Sequence, residues 1–247
     1  KVFPEYRCRG FVIDKHQNIW VASGHGLVII NSETFQLESP KFTEIQTNTP
    51  NSNLPSNNIR SVYKDHHNTI WFVTYNDKFG KFSGNLDMQN YQFKTFSTND
   101  FPSQFTIAML QDSFGTYWMT TQKGLSAFNI EGDTFSLIKN YDETDGLITK
   151  GVLSIFEDKD KTLWIATRKG LCKYLRDTNT FTSYAKRQGL SNTFVYNIEE
   201  DNHDNLWLST NGGLFRFHKP SEIFSNYNPK DGVQSTEFNL GAVYKNE

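Results

Sequence analysis

The chain has 247 residues, 36% of them hydrophobic and 15% aromatic, and a formal net charge of −2. That length can bury a large core, either as one all-β unit or as two small domains. The near-neutral charge gives no electrostatic case for nucleic acid, and no apolar run approaches the roughly 18 residues of a membrane helix.

The opening KVFPEYRCRG has no signal-peptide pattern and reads as a cut within a longer protein. Gly10–Asp14, Ile19–Ser23, Leu27–Asn31 and Phe35–Ser39 then read as four strands joined by tight turns, an antiparallel meander. A polar linker, Thr47–Asn58, leads to a second set: Ile59–Lys64, Ile70–Thr74, Phe79–Ser83 and Tyr91–Phe96. The third set is Ile107–Gln111, Tyr117–Thr121, Leu125–Asn129 and Thr134–Lys139. The fourth is Val152–Glu157, Leu163–Thr167, Leu171–Leu175 and Thr180–Tyr184. The fifth is Val195–Glu200, Leu206–Thr210, Leu214–His218 and Ile223–Tyr227, and Phe238–Tyr244 reads as the first strand of a sixth. No segment with a helical period competes with this reading.

The sets are copies of one unit. Each of the five tryptophans, Trp20, Trp71, Trp118, Trp164 and Trp207, sits on a second strand, at spacings of 51, 47, 46 and 43 residues. Six residues before each lies an aspartate: Asp14, Asp65, Asp112, Asp158 and Asp201. Three residues after each lies a hydroxyl: Ser23, Thr74, Thr121, Thr167 and Thr210. Gly26-Leu27, Gly124-Leu125, Gly170-Leu171 and Gly213-Leu214 follow at six and seven residues; in the second copy Asp77-Lys78 stands there instead. The linkers repeat too, as Leu54-Pro-Ser-Asn-Asn, Asp145-Gly-Leu-Ile-Thr, Gln188-Gly-Leu-Ser-Asn and Asp231-Gly-Val-Gln-Ser.

A meander of this period cannot bury both of its faces alone. Stacking such sheets around an axis solves the problem, so the expected fold is an all-β propeller of four-stranded antiparallel blades. Five complete blades are expected at about 10–40, 59–97, 107–140, 152–185 and 195–228, with a partial one at 238–247. Each Trp would fill the wedge between neighbouring blades. Each Asp, at the mouth of the first turn, would accept turn N–H groups. The hydroxyl would bond within the blade or to its neighbour, the glycine would allow the second turn, and the linker Leu or Val would plug the gap between units.

A group repeated once per blade is spread around a ring and does not converge on one substrate, so the Asp residues read as structural. His16, His66, His67 and His203 share those turns and are spread in the same way; no metal or other cofactor is expected. Arg168-Lys169 and Lys186-Arg187 read as solvated basic pairs. Cys8 and Cys172 are expected to be free, buried thiols, with a disulfide as the alternative.

The unit Val152–Leu175 resembles the two-component regulator propeller repeat: a hydrophobic strand, an Asp, a short turn, Leu-Trp-Ile-Gly/Ala-Thr, then Gly-Leu and an aromatic. The resemblance covers nearly the whole chain. It implies the periplasmic sensor region of a hybrid two-component system of gut-dwelling bacteria. There, two tandem propellers precede a β-sandwich, a membrane helix, a histidine kinase and a response regulator, and the sensor answers to oligosaccharides. Tyr227–Ala242 looks like what precedes the last blade of the second propeller, and the family's rings usually have seven blades. The chain is therefore expected to be a fragment that contacts the rest of its kinase in cis, and its uncovered blade faces are expected to drive homodimerisation or self-association. The Asp–turn–Trp segment also resembles the Asp-box of sialidases, a structural turn; the arginine triad with Tyr and Glu that those enzymes need is not assembled by these repeats.

Alternate turns of a meander emerge at opposite ends. The first turns keep their Asp, whereas the second turns differ: Gly24-His25, Tyr75-Asn76, Gln122-Lys123, Arg168-Lys169 and Asn211-Gly212. Variable loops on a constant scaffold commonly carry recognition. Aromatic, amide and guanidinium groups suit a sugar, so Tyr75, Asn76, Gln122, Lys123, Arg168, Lys169 and Asn211 are the expected ligand contacts, for an oligosaccharide or a partner protein. Two rivals remain. A propeller glycosidase or lyase would need two facing carboxylates, and Glu143, Asp145 and Glu237 show no such arrangement. The other rival is a protein-interaction scaffold.

Overall fold

The computed structural model describes residues 8–31, 34, 41–75, 78–96, 108–121, 124–185, 189–190, 194–235 and 237–238. Among them the regular structure is all β, apart from short 3-10 turns. Five four-stranded antiparallel sheets follow one another as β-propeller blades, and in each the strands lie side by side in chain order.

Blade 1 comprises β1 (Cys8–Ile13), β2 (Ile19–Ser23), β3 (Gly26–Ile30) and β4 (Phe42–Ile45). Blade 2 comprises β5 (Ile59–Lys64), β6 (Ile70–Thr74), β7 (Phe79–Phe82) and β8 (Phe93–Phe96). Blade 3 comprises β9 (Met109–Gln111), β10 (Tyr117–Thr121), β11 (Gly124–Glu131) and β12 (Thr134–Tyr141). Blade 4 comprises β13 (Val152–Glu157), β14 (Leu163–Thr167), β15 (Gly170–Leu175) and β16 (Thr180–Tyr184). Blade 5 comprises β17 (Val195–Glu200), β18 (Asn205–Thr210), β19 (Gly213–His218) and β20 (Ile223–Tyr227).

Beyond shifts of one or two residues at strand ends, the structure departs from the sequence expectation in blades 1 and 2, and two expected strands lie wholly or mostly outside the described residues. The strand expected at Phe35–Ser39 lies outside them, and the strand that pairs with β3 is Phe42–Ile45, with Ile45 opposite Leu27. The expected sixth-blade strand is likewise outside them except for Phe238, whose backbone N–H donates to the Thr210 carbonyl at 3.1 Å. In blade 2 the second turn is one residue longer than elsewhere. Val73 pairs with Phe79, so Lys78 stands opposite Thr74, where the other blades place a glycine. Finally, Cys8 is free and exposed rather than buried; Cys172 is free and buried.

Contacts divide the chain into two compact units, Lys1–Phe105 with blades 1 and 2, and Thr106–Glu247 with blades 3, 4 and 5. In the first unit, β1 and β2 pack against β5. Trp20, Leu27 and Ile45 of blade 1 meet Ile59, Phe72 and Phe93 of blade 2 in one apolar cluster, and Leu54 of the linker is buried with them. In the second unit, Trp118 and Tyr141 of blade 3 meet Val152, Ile165 and Phe181 of blade 4, again with a linker leucine, Leu147. Trp164 and Tyr184 of blade 4 meet Val195, Leu208 and Phe217 of blade 5, with Leu190 between them.

This layering explains the composition of the second strands. Ile70–Thr74, Tyr117–Thr121 and Leu163–Thr167 are buried at every position. A sheet covered on both faces has no solvent side, so its inner strands read as unbroken apolar and hydroxyl runs. Trp20, Trp71, Trp118 and Trp164 are buried to within 2% of full exclusion, whereas Trp207 of blade 5 is half-buried. No further blade covers it among the described residues of its unit.

The difference is measurable. Trp164→Ala is expected to cost about 3–5 kcal/mol, the range for removing a buried aromatic. Trp207→Ala should cost clearly less, because part of its surface already faces water. Urea unfolding of both variants checks this, and equal losses would contradict the layering.

Candidate functional site

Each aspartate of the repeat holds a turn with one carboxylate oxygen and an indole with the other. Asp14 Oδ1 accepts the backbone N–H groups of His16 and Asn18 at 2.8 and 2.9 Å, and its Oδ2 accepts Trp20 Nε1–H at 2.9 Å. The same three bonds recur at Asp65, Asp112, Asp158 and Asp201, with indole distances of 2.8, 2.8, 2.8 and 2.9 Å. The turn places its fourth residue in the left-handed region: Gln17, Asn68, Gly115, Lys161 and Asp204 have φ of 64, 61, 88, 62 and 62°. Burial alone would raise the Asp158 pKa, but the Trp164 indole, the Thr162 N–H and the Lys219 ammonium outweigh it and hold the carboxyl below its usual range. Asp201 is also held low: burial opposes this, and the Trp207 indole, the Asn205 side chain and two turn N–H groups prevail.

The hydroxyl after each Trp closes the opposite end of the same hairpin. Ser23, Thr167 and Thr210 donate to the carbonyls of Gly26, Gly170 and Gly213 at 2.9, 2.8 and 2.6 Å. They also accept the N–H of a second-turn residue, His25, Lys169 and Gly212. The glycine is required by close approach. At Gly170, where φ is +140°, a Cβ would stand 2.3 Å from the Tyr184 carbonyl oxygen of the fourth strand.

Charges then join consecutive blades of the second unit. Lys219 Nζ reaches Asp158 Oδ2 at 3.0 Å, Asp160 Oδ2 at 2.8 Å and Glu200 Oε1 at 2.5 Å. Those three carboxylates have metal-ligand spacing, but the ammonium bonds to all three, so the group acts as an ion cluster between blades 4 and 5. One step earlier, Arg176 lies 3.0 Å from Asp112 Oδ2 and 3.5 Å from Glu157 Oε1. Glu157 and Glu200 also accept the backbone N–H of Ser113 and Lys159 in the preceding blade, both at 2.8 Å.

Between blades 1 and 2 no such cluster is found among the described residues. Register places Lys81, Lys173 and Arg216 opposite their respective Trp residues. Three residues on, Arg176 and Lys219 have Gly84 as their counterpart, and Lys64 ends β5 where Glu157 and Glu200 end their strands. Asn18 Nδ2 supplies the second bond to Asp14 Oδ2 at 3.1 Å. The cleft is open: a cavity of about 460 Å³ is lined by Asp14, Asn18, Trp20, Asn68, Phe82 and Asp87, among others.

The second-turn residues stand at the other end of the blades. Tyr75, Arg168, Lys169 and Asn211 are exposed, and Asn76, Gln122 and Lys123 lie outside the described residues. In blades 2, 4 and 5 the turn is tied to the start of its own blade: the N–H groups of Tyr75, Arg168 and Asn211 donate to the carbonyls of Asn58, Gly151 and Phe194. Asn211 Oδ1 also accepts the Phe194 N–H at 2.8 Å, so part of its amide is committed. No bond joins Arg168 or Lys169 to Asn211 among the described residues. Tyr75 gathers two side chains that sequence reading missed. The guanidinium carbons of Arg9 and Arg60 each lie 4.3 Å from its ring centroid. A sequence signal for them existed, since both stand eleven residues before their Trp.

Residues 53–76, 146–169 and 189–212 match the family model described as two component regulator propeller. The matched stretches fall in blades 2, 4 and 5. Each matched stretch runs from the linker through the Asp–turn–Trp hairpin to the second turn. No curated protein matches the sequence. Among solved structures, the extracellular domain of a hybrid two component system of B. thetaiotaomicron is 22% identical, with a TM-score of 0.68, over 86% of this chain and 28% of that one. The extracellular domain of a one component system of the same organism is 18% identical, with a TM-score of 0.70, over 90% of this chain and 31% of that one. Virginiamycin B lyase of Staphylococcus aureus is 12% identical, with a TM-score of 0.64, over 92% of this chain and 71% of that one. At these identities the likeness is one of fold, and the chain spans under a third of the first two relatives. No helix among the described residues is long and apolar enough to cross a membrane.

Lys219 provides a test of the blade 4–blade 5 cluster. Lys219→Met leaves buried carboxylates facing one another and should cost about 3–5 kcal/mol at neutral pH. The depressed Asp158 pKa contributes stability that is present above the unfolded carboxylate value, roughly 4, and is lost as pH falls through the lower folded value. The wild-type and variant stability curves should therefore converge in acid. Urea midpoints from pH 7 to pH 3 check this, and a constant gap would contradict it.

Proposed function

We propose that this chain is part of a non-catalytic, extracytoplasmic sensor module of a hybrid two-component system. In this reading the protein is periplasmic, detects an oligosaccharide, and passes the signal in cis to a histidine kinase. The repeats matched to the two component regulator propeller family carry the reading, and the likeness to extracellular domains of B. thetaiotaomicron signalling proteins supports it. The second turns are where ligand contact is proposed, because they vary on a scaffold whose other positions are fixed by bonding.

The carboxylates support a non-catalytic role. A glycosidase needs one free acid and one free base facing each other. Asp158 and Glu200 share the Lys219 ammonium. Asp145 pairs with Lys139 at 2.7 Å, and Glu143 accepts the Lys150 N–H at 3.0 Å. The fold-level likeness to a lyase keeps the enzyme reading as the second one.

Both readings are tested with one panel of plant and host oligosaccharides. Calorimetry should find a binder, and Tyr75→Ala and Arg168→Ala should weaken it about tenfold, close to 1.4 kcal/mol. Unchanged affinity in both variants would count against this face. Chromatography should find the sugars intact, and cleavage of any of them would favour the lyase or hydrolase reading.

A further inference from the structure

The connection between β7 and β8 is longer than its counterparts. It takes ten residues, 83–92, where β15 to β16 and β19 to β20 are joined by four, 176–179 and 219–222. The extra residues close a turn of their own. Asn85 and Asn90 exchange backbone bonds at 2.8 and 2.9 Å, and the Gln89 N–H donates to the Leu86 carbonyl at 3.0 Å. A Cβ on Gly84 would run into the Asn90 carbonyl oxygen, so this turn holds the counterpart of Arg176 and Lys219 to glycine. Leu86 packs on the apolar cluster shared by blades 1 and 2. One stretch thus removes the cleft cation and adds a wall.

The wall borders the cavity of about 460 Å³ between the two blades, within the roughly 300–1,000 Å³ of small-molecule sites. Trp20, Phe82 and Leu86 give it an apolar lining, with the Trp20 and Phe82 rings 5.0 Å apart. Asn18, Asn68, Asn85 and Asp87 give it a polar one. These polar groups are only partly committed. Asn18 Nδ2 donates to Asp14, and Asn85 Oδ1 accepts the Met88 N–H at 3.2 Å. Asn18 Oδ1, Asn85 Nδ2 and the side chains of Asn68 and Asp87 have no hydrogen-bond partner among the described residues.

Charge decides which class of molecule fits. In the cleft between blades 4 and 5, Lys219 bonds to Asp160 and Glu200, and Lys159 pairs with Asp204 at 2.5 Å. The same repeat positions between blades 1 and 2 hold His16, Lys64 and Asn68 in place of the three acids, and Lys15 in place of Lys159. An ammonium standing where Lys219 stands would therefore face Lys15, while Asp14 already accepts bonds from His16, Asn18 and Trp20. Asp87 and Lys15 leave one charge of each sign at the cavity, which favours neither a cation nor an anion.

We propose that this cleft is a second binding site, at the first-turn end of the blades, for a neutral, hydroxyl-rich molecule, a mono- or disaccharide. Hydroxyl groups both donate and accept, which matches a lining of amides and a carboxylate, and the C–H faces of a sugar ring suit the apolar lining. The site is separate from the second turns and does not rest on ligand contact there.

Titration of the whole chain with maltose, cellobiose, lactose and, separately, methylammonium tests the site. The readouts are the Trp20 indole N–H and Tyr75 ring NMR signals, and calorimetry. At least one disaccharide should shift Trp20, with little dependence on salt up to about 0.5 M. Asn68→Ala and Asp87→Ala should each weaken that binding about tenfold, and unmoved signals from the other four indoles would show that the blades stay folded. No Trp20 shift with any disaccharide, or full affinity in both alanine variants, overturns the site. A shift with methylammonium alone makes the cleft a cation site and overturns the neutral assignment. A disaccharide that moves Tyr75 and leaves Trp20 in place overturns this cleft while sparing the second-turn reading. One that moves Trp20 alone supports the cleft whatever happens at the second turns.

Discussion

The bond from an indole N–H to the carboxylate six residues earlier is the constraint on which the rest of this structure depends. A tryptophan buried between two sheets contributes a large apolar surface but brings one N–H that must find an acceptor. Asp14 and its four counterparts supply it from within the same hairpin. The acceptor is itself a buried or half-buried charge, and that charge is stabilised by the turn N–H groups on its other oxygen. One local unit therefore satisfies an indole, a carboxylate and a tight turn together. Because the unit is complete in itself, it can be repeated with any neighbour.

What differs between blades is how each cleft is finished. Between blades 3 and 4 and between blades 4 and 5, a cation from the later blade reaches back to the aspartate of the earlier one. Between blades 1 and 2, Asn18 supplies the missing bond and Gly84 stands where the cation would begin, leaving a cavity. Thr116 and Thr162 stand four residues after the aspartates that a cation reaches, whereas Asn18 stands there after Asp14. Interface chemistry thus varies while the hairpin stays fixed.

Most of the fold was legible because its determinants are local and repeated. Trp spacing and the Asp six residues before locate every second strand, and in four blades the glycine six residues after marks its end. Val152–Glu157, Thr180–Tyr184, Val195–Glu200 and Ile223–Tyr227 agree end to end with the sequence reading. The first blade's fourth strand was missed because Phe42–Ile45 follows a long connection with no repeat residue to mark it. The Trp–Asp bond was implicit in a constant spacing, but only coordinates show which oxygen does what. The Lys219 and Arg176 clusters and the convergence of Arg9 and Arg60 on Tyr75 join residues far apart in the chain, and such pairs leave no local period. Arg9 and Arg60 are each an extra residue in the pairing of their strand, between Cys8 and Gly10 and between Ile59 and Ser61, which is invisible until the partner strand is known. The second-turn residues were legible as exposed and variable, but the commitment of Asn211 to its own blade was not.

The central claim is most directly tested by a double-mutant cycle on Asp14 and Trp20, a pair that no cross-blade cation reaches among the described residues. Asp14→Ala, Trp20→Phe and the double variant should be unfolded in urea beside the wild type. A hydrogen bond to a charged acceptor predicts a coupling of about 1.5–3 kcal/mol between the two sites. Losses that simply add, with no coupling, would contradict the account.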